Sequence, residues 1–358
     1  MPETERNFTV SIPVNEFAGK TIAGCELIKE LGRGSNGIVY LANQKKLNRP
    51  VACKIMFQDL QDDDPDYLDN ILSEARNAAK LSHPNIIQAL DAGNEDGIKY
   101  FIMEYVEGSS LEYIRTNTPE IISTKFLVRM AIQLANALDY AWQEHHMIHG
   151  DIKPGNILIA SKEQNLKLGD LGLARSGSSV EEDEEVMITP LYAAPEIITM
   201  QNKTPDPKSD IYSFGVMLYE LACGVAPFTG SAEELLVHHL NTIPQALAVM
   251  NPDIDPDFAK LVDSMLAKDP GQRPADWKKV RAALQDIYSR LFPQTPAANN
   301  IVSTVVNAEK TQAKNTSWGI DTRKKNKTLE KMPWLIPAIL ILIILGALAS
   351  IAINSGLI

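Results

Sequence analysis

The stretch His149-Gly150-Asp151-Ile152-Lys153-Pro154-Gly155-Asn156, followed by Gly169-Asp170-Leu171-Gly172, is the part of this sequence that decides the fold. Two carboxylates, one ammonium and one amide stand here in the order needed to hold ATP, magnesium and a substrate hydroxyl. One such match could arise by chance. The interpretation therefore depends on whether the other parts of a nucleotide site occur in order along the chain.

A glycine pattern lies upstream, where residues 31–40 read Leu-Gly-Arg-Gly-Ser-Asn-Gly-Ile-Val-Tyr. Its glycines let backbone amides approach phosphates because no Cβ stands in the way. Dinucleotide-binding loops carry the same glycines but open a helix, whereas Ile38–Leu41 is β-branched and aromatic and favours a strand. The pattern therefore predicts a hairpin lid over a nucleotide. A P-loop at Gly19-Lys20-Thr21 is rejected, because Val14 stands where that motif requires its first glycine.

A short apolar strand, predicted over Val51–Ile55, carries the single lysine Lys54. A solvated lysine at a strand edge is the plainer interpretation, and a grip on nucleotide phosphates is the functional one. Asp64 and Pro65 predict the start of a helix. Its apolar residues recur at helical spacing, at Leu68, Ile71, Leu72, Ala75 and Ala79. Glu74 lies on the flank of that apolar face. Most such glutamates are solvated, but the loops already described favour a pair between Glu74 and Lys54.

In this order the motifs resemble the protein kinase family, and more narrowly the bacterial serine/threonine kinases of the eukaryotic-like (Hanks) type. The resemblance covers about Cys25 to Leu291 and implies an α+β fold with a small β-rich N-lobe and a large helical C-lobe. Further matching segments are His83-Pro84-Asn85-Ile86, Met103-Glu104-Tyr105-Val106, Ala194-Pro195-Glu196, Ser209–Gly215 and Arg273.

The resemblance implies a set of ATP-binding residues in the N-lobe and the hinge between the lobes. Lys54, held by Glu74, would fix the α- and β-phosphates, and Met103 would be the gatekeeper beside the adenine. The implied ATP-binding residues are Gly32, Arg33, Gly34, Gly37, Val39, Lys54, Glu74, Glu104 and Val106, the last two through their backbones.

Catalytic roles follow from the same resemblance. Asp151 would orient the acceptor hydroxyl and accept its proton, and Lys153 would neutralise the moving γ-phosphoryl group. Asn156 and Asp170 would hold the metal, Mg²⁺ with Mn²⁺ as the alternative ion. Thr189 matches the threonine typical of serine/threonine-specific activation segments.

Structural roles and departures complete the comparison. Glu196 would close the activation segment and pair with Arg273, and Asp210 would anchor the catalytic-loop backbone. Gly150 stands where most regulated kinases have an arginine that grasps a phosphate, so control by that ion pair is expected to be absent. Residues 181–185 are all acidic; a solvated charge run is the favoured interpretation, and a phosphate substitute or an attractor of basic substrates is the alternative. Leucine at 171 replaces the usual phenylalanine and fills a similar apolar space.

Composition agrees with this interpretation. The chain has 358 residues and a formal net charge of −11, which argues against a nucleic-acid partner. Its three cysteines are scattered, which suits a reducing cytosol and gives neither a metal motif nor a disulfide framework. Residues 1–24 form an N-terminal extension, polar and mixed at its start, and predict no signal peptide.

The C-terminal part predicts a membrane attachment. Residues 292–332 lose apolar periodicity and are expected to be a flexible linker. Residues 334–353 carry no charge over a length of ~30 Å as a helix, which matches a bilayer core and predicts one transmembrane helix over 333–354, followed by a short tail at 355–358. Five basic residues precede it, namely Arg323, Lys324, Lys325, Lys327 and Lys331. The positive-inside rule then predicts a single-pass protein of the cell membrane with a cytoplasmic kinase domain.

Three alternatives stay open at this stage. Gly346 and Ser350 form a small-xxx-small pair that could pack two membrane helices into a homodimer, although such pairs are common by chance. A pseudokinase acting as a membrane scaffold is the alternative to an active serine/threonine protein kinase. A small-molecule phosphotransferase of kinase-like fold is the third, but such enzymes generally lack a segment closed by Ala-Pro-Glu.

Overall fold

The structure is a computed structural model that describes residues 16–34, 37–57, 78–160, 165–170, 175–176, 189–199 and 206–293. The chain divides into two compact units, Met1–Pro293 and Gln294–Ile358, and every described residue belongs to the first. The predicted helix that carries Glu74 lies outside the described residues, apart from its last turn at 78–80, which is helical.

The N-terminal lobe is built on an antiparallel six-stranded sheet whose order is β1-β2-β3-β4-β6-β5. Its strands are β1 Thr21–Ile22, β2 Cys25–Gly34, β3 Gly37–Gln44, β4 Arg49–Met56, β5 Ala89–Glu95 and β6 Ile98–Glu104. The predicted hairpin is therefore present as β2 and β3, and the predicted lysine strand is β4.

Alternation of side chains divides this sheet into a core face and a site face. Tyr40, Cys53 and Ile102 are fully buried in one apolar cluster and are paired neighbours across β3, β4 and β6. Successive residues of a strand point to opposite faces, so Lys54, which pairs with Val39 and with Phe101, projects from the other face. The apolar neighbours of Lys54 thus fix the side on which its ammonium emerges.

The C-terminal lobe is mainly helical, as the sequence predicts. Its helices are α1 Leu111–Asn117, α2 Thr124–His145, α3 Pro195–Ile198, α4 Pro207–Cys223, α5 Ala232–Asn241, α6 Leu247–Met250, α7 Pro256–Met265 and α8 Trp277–Leu291. The long apolar run Ile211–Leu221 of the sequence predicts a buried helix. In the structure it is the buried core of α4, which Asp206 caps and Gly224, at φ +75°, ends. Phe214 of α4 packs on Trp277 of α8 with ring centroids 5.6 Å apart.

Among the described residues of this lobe, five short strands lie at the site and are not foreseen by the helical pattern. They are β7 Gly108–Ser110, β8 Met147–Ile148, β9 Ile157–Ala160, β10 Leu166–Leu168 and β11 Arg175–Ser176. Strands β10, β9 and β7 form one sheet, and β11 pairs with β8. Because β8 and β9 flank residues 149–156, they hold both ends of the predicted catalytic loop.

Candidate active site

The catalytic loop is fixed by a buried carboxylate on helix α4. Asp210 Oδ2 accepts from the backbone N–H of His149 at 2.6 Å, and Oδ1 accepts from that of Gly150 at 2.9 Å. Burial raises the pKa of Asp210, while these two N–H donors and His149 oppose the shift. The anchoring contact expected for Asp210 is thus present in the structure.

His149 links this loop to the segment that carries Asp170. The Asp151 N–H donates to His149 Nδ1 at 3.2 Å, so Nε2 must carry the ring proton and donate it to the Gly169 carbonyl at 3.0 Å. The Gly169 N–H in turn donates to the Asn156 carbonyl at 2.8 Å. Asp151, Asn156 and Asp170 are therefore positioned by one continuous hydrogen-bond network.

Asp151, the predicted base, lies among three donors. Lys153 Nζ is 2.6 Å from Oδ2, Asn156 Nδ2 donates to Oδ2 at 3.0 Å, and the Thr189 hydroxyl donates to Oδ1 at 2.7 Å. Burial raises the pKa of this carboxyl, but hydrogen bonds from Lys153, Thr189 and Asn156 outweigh it and leave the pKa below its usual value of 3.8. Asp151 is therefore a carboxylate at neutral pH, the form that can accept a proton from an alcohol.

Thr189 joins the activation segment to the base. Its hydroxyl also accepts from Lys153 Nζ at 3.2 Å, which closes a triangle of Asp151, Lys153 and Thr189. The short helical turn Pro190–Tyr192 follows directly. The sequence singled out all three residues but did not foresee this mutual contact.

The second half of the site joins the two lobes. Lys54 Nζ on β4 donates to Asp170 Oδ1 at 2.6 Å, across 116 positions of sequence. Asp170 has φ +54°, a left-handed conformation that aspartate tolerates better than most residues and that often occurs at functional sites. The predicted phosphate-binding lysine and the predicted metal-binding aspartate thus meet, whereas Glu74, the other expected partner of Lys54, lies outside the described residues.

The glycine hairpin lies on the same sheet as Lys54. Gly32 pairs with Val39 and Gly34 with Gly37, and Val39 in turn lies opposite Lys54 on β4. A Cβ on Gly37 would clash with the Ile55 carbonyl, so only glycine fits this close approach of two strands. The turn residues 35–36 lie outside the described residues.

The guanidinium of Arg33, a predicted ATP-binding residue, pairs within its own strand. Its Nη2 lies 3.1 Å from Glu30 Oε2, and Nε donates to Glu30 Oε1 at 3.3 Å. The backbone of Arg33 pairs with Ile38 in the hairpin. Contact of residue 33 with ATP stays a prediction.

At the hinge, β6 ends with Glu104, and Val106 follows outside the strand. Met103 lies opposite Ala52, two residues from Lys54 on β4 and hence on the same face. The Glu104 carboxylate lies 2.8 Å from Lys167 Nζ on β10, so the side chain is engaged with the other lobe. The Glu104 N–H donates to the Gln88 carbonyl at 2.9 Å, so the predicted backbone contact with adenine would fall to the Glu104 carbonyl. Sequence reasoning missed Lys167, because no local pattern connects it with residue 104.

Glu196 and Arg273 form a buried two-pronged pair. Arg273 Nη1 lies 2.6 Å from Oε1 and Nη2 lies 2.8 Å from Oε2. The structure therefore contains the pairing expected for these two residues, and it fixes the segment that follows Thr189 to the core of the helical lobe.

The side-chain oxygens of Asn156 and Asp170 are suitable ligands for a hard cation. Asp170 supplies a half-exposed carboxylate, and the Asn156 amide nitrogen is used by Asp151, which leaves its oxygen as the atom available to a metal. Within the described parts of the chain, no group of three or more His, Cys, Asp or Glu side chains could hold a metal ion. A site of two protein oxygen ligands suits Mg²⁺, which usually retains water and binds substrate phosphates.

Comparison with known proteins agrees with this architecture. The family model described as the protein kinase domain matches residues 25–289. The chain is 34% identical over 281 residues to the serine/threonine-protein kinase PknB of Mycolicibacterium smegmatis, covering 76% of this chain and 44% of that protein. It is 30% identical over 358 residues to PrkC of Bacillus subtilis, covering 95% and 54%. The solved kinase domain of Mycobacterium tuberculosis PknI superposes with a TM-score of 0.60 at 25% identity, covering 75% of this chain and 98% of that one.

The chain belongs to the protein kinase family. It spans about half the length of the curated relatives named above. Within the described ranges, no helix has the length and apolar character needed to cross a bilayer. The predicted span at 334–353, the acidic run at 181–185 and Leu171 lie outside those ranges.

Proposed function

We propose that this chain is a serine/threonine protein kinase that transfers the γ-phosphate of ATP to hydroxyl groups of proteins. The observation that carries this proposal is the convergence of two contacts from distant parts of the chain. Lys54 reaches Asp170 across the lobes at 2.6 Å, and Asp151 accepts a hydroxyl hydrogen bond at 2.7 Å. A nucleotide grip and an alcohol-accepting carboxylate therefore belong to one hydrogen-bonded site.

The chemistry assigns a separate task to each side chain. The acceptor hydroxyl donates to Asp151, its oxygen forms a bond to the γ-phosphorus, and the bond from that phosphorus to the β–γ bridging oxygen breaks. Asp151 takes the hydroxyl proton, and ADP leaves with the bridging oxygen. Lys153 offsets the negative charge of the γ-phosphoryl group while it moves from ADP to the acceptor oxygen. Lys54 holds the nucleotide phosphates. A bound Mg²⁺, with Mn²⁺ as the alternative, would supply further positive charge and would be held by Asn156 and Asp170.

Serine/threonine specificity is supported by the relatives PknB and PrkC, which are named serine/threonine-protein kinases, and by the Thr189 contact with Asp151 and Lys153. The test is transfer of labelled phosphate from ATP to a generic basic protein, comparing wild type with Asp151→Asn. Transfer by the wild type that is lost in the variant supports the proposal. Nucleotide binding without transfer in either protein would favour the pseudokinase scaffold, and transfer only to small molecules would favour the third alternative.

We also propose that residues 334–353 tether the kinase domain to the cell membrane, with the domain in the cytoplasm. The uncharged run and the five basic residues before it support this orientation. Fractionation of cells expressing the full chain, compared with a variant carrying two lysines within 334–353, tests the tether. Recovery of both proteins in the soluble fraction would contradict it. A homodimer formed through Gly346 and Ser350 is tested by replacing both residues with isoleucine. If the two membrane helices pack through this pair, the variant should self-associate more weakly than the wild type.

A further inference from the structure

A chain of hydrogen-bonded groups joins helix α5 to the residues beside the catalytic base. Lys268 Nζ lies 3.2 Å from Tyr212 Oη, and Tyr212 Oη lies 2.9 Å from His239 Nδ1. His239 Nε2 lies 3.0 Å from the carbonyl oxygen of Leu191. Tyr212 and His239 are both fully buried.

For a neutral His239, the direction of every bond in this chain follows from its two ends. An ammonium can only donate and a carbonyl can only accept. Lys268 therefore donates to the Tyr212 oxygen, the Tyr212 O–H donates to His239 Nδ1, and His239 donates from Nε2 to Leu191. This assignment requires a neutral histidine with its proton on Nε2.

The surroundings keep the histidine in that form. Lys268 Nζ lies 4.5 Å from the centroid of the Phe228 ring, and the Arg273 guanidinium lies 4.8 Å from that of Tyr212, so two cations flank the chain. Burial, followed by the charge of Lys268, lowers the pKa of His239 to about 4. Burial and the nearby Arg273 lower the pKa of Lys268 to about 8. The directed chain is therefore intact near neutral pH.

We propose that His239 is a positioning residue for the protein substrate, an inference that rests on the proposed function. His239 holds the carbonyl of Leu191, two residues after Thr189, whose hydroxyl donates to Asp151. The segment 189–192 begins at the residue whose hydroxyl bonds to Asp151, so it borders the place where an acceptor hydroxyl would reach the base. The nucleotide lies on the side of Lys54, so His239 acts on acceptor binding rather than on ATP binding.

Four variants of the full chain test this inference. Tyr212→Phe removes one oxygen from the chain, His239→Leu breaks it, and His239→Gln keeps an amide donor for Leu191. The matched control is Tyr219→Phe on the same helix, which loses a 3.0 Å hydrogen bond to the Gln245 carbonyl, away from the segment 189–192. KM for a generic basic protein, KM for ATP, kcat and the thermal unfolding temperature are measured for each protein.

Loss of one hydrogen bond of about 1 kcal/mol corresponds to about a fivefold change. Tyr212→Phe and His239→Leu should raise KM for the acceptor protein about fivefold or more and leave KM for ATP within about twofold, with His239→Gln closer to wild type. Identical kinetics in Tyr212→Phe and Tyr219→Phe would overturn the inference, as would a parallel rise in both KM values. If His239→Leu does not fold, the two tyrosine variants decide. Absence of transfer by the wild type would instead overturn the proposed function and this inference with it.

Discussion

Replacement of Arg273 by methionine should destabilise the helical lobe far more than the same replacement at Arg290, although each arginine contacts a carboxylate with two nitrogens. Arg290 lies 2.8 and 2.9 Å from the oxygens of Asp255, much as Arg273 lies 2.6 and 2.8 Å from those of Glu196. The difference lies in the burial of the arginines, since the Arg273 side chain is 0% exposed and that of Arg290 is 47% exposed, whereas their carboxylates are similarly buried at 6% and 5%.

The magnitude follows from the donors of Arg273. Besides Glu196, its guanidinium donates to the carbonyls of Ala267, Lys208 and Lys268 at 2.8, 2.8 and 3.1 Å, so all five N–H groups are used. Arg273→Met leaves a buried carboxylate without its counter-charge, which costs about 3–5 kcal/mol, and Glu196→Leu leaves the buried guanidinium without its counter-charge at a similar cost. The double variant Glu196→Leu with Arg273→Met removes both charges. It should lose only about 3 kcal/mol, the cost of three unpaired carbonyls.

Urea denaturation followed by tryptophan fluorescence measures these losses, since Trp277 is buried in the same lobe. The double variant should be more stable than the sum of its single variants predicts, by at least about 3 kcal/mol. Arg290→Met should lose less than Arg273→Met, because water can enter the exposed position of the Arg290 side chain and because Asp255, only 5% exposed itself, keeps the backbone N–H donors of Asp257 and Phe258. Additive single losses, or equal losses for Arg273→Met and Arg290→Met, would refute the reasoning from burial.

Three further predictions concern single groups. Asp151→Asn should lower kcat by about 10²–10⁴-fold and leave KM for ATP within about twofold, and a parallel loss of ATP binding would contradict the assignment. Because the pKa of the Asp151 carboxyl is below 3.8, the wild-type rate should not fall through protonation of this group between about pH 8 and pH 5.5. Lys54→Met should raise KM for ATP about tenfold or more in steady-state assays, and an unchanged value would remove Lys54 from the nucleotide site. The pKa of His239 is about 4 in the folded protein and 6.5 in the unfolded chain, so the unfolded state binds more protons between these two pH values. The free energy of unfolding should therefore fall by up to about 3 kcal/mol as the pH drops from 6.5 to 4. Urea midpoints across that range should show a steeper decline for wild type than for His239→Gln, and equal slopes would contradict the buried neutral histidine.

The sequence was sufficient where chemistry depends on short spacings. The glycine pattern and the β-branched residues after it predicted the hairpin of β2 and β3, and the apolar run around Lys54 predicted β4. Helix α4 was predicted from a long apolar run because a helix buried on all sides needs no polar face. The pairing of Glu196 with Arg273 came from family resemblance alone, since 77 residues separate them.

What the sequence could not give is the set of side-chain contacts made across the tertiary structure. Three sets of contacts join common residue types that lie far apart in the sequence. They are the hydrogen-bonded groups from Lys268 to His239, the contact of Lys167 with Glu104 and that of Thr189 with Asp151. No periodicity encodes such contacts. The two- to four-residue strands β7 to β11 escaped prediction for another reason: they are too short to show an alternating pattern and are defined by their partners.

The glycine at position 150 shows how this site can be ordered without a phosphate contact at that residue. Gly150 has φ +79°, a conformation that costs a residue with a Cβ on the order of 1 kcal/mol or more. Its N–H donates to Asp210, whose other oxygen accepts from His149, so the loop that carries Asp151 is held by a buried carboxylate of helix α4. A phosphate on the activation segment could act on the loop through residue 150 only if that residue carried a cation. Because glycine carries none, that route is absent, and Asp151 is positioned here by the contacts of its loop with Asp210 and by its own contact with Thr189.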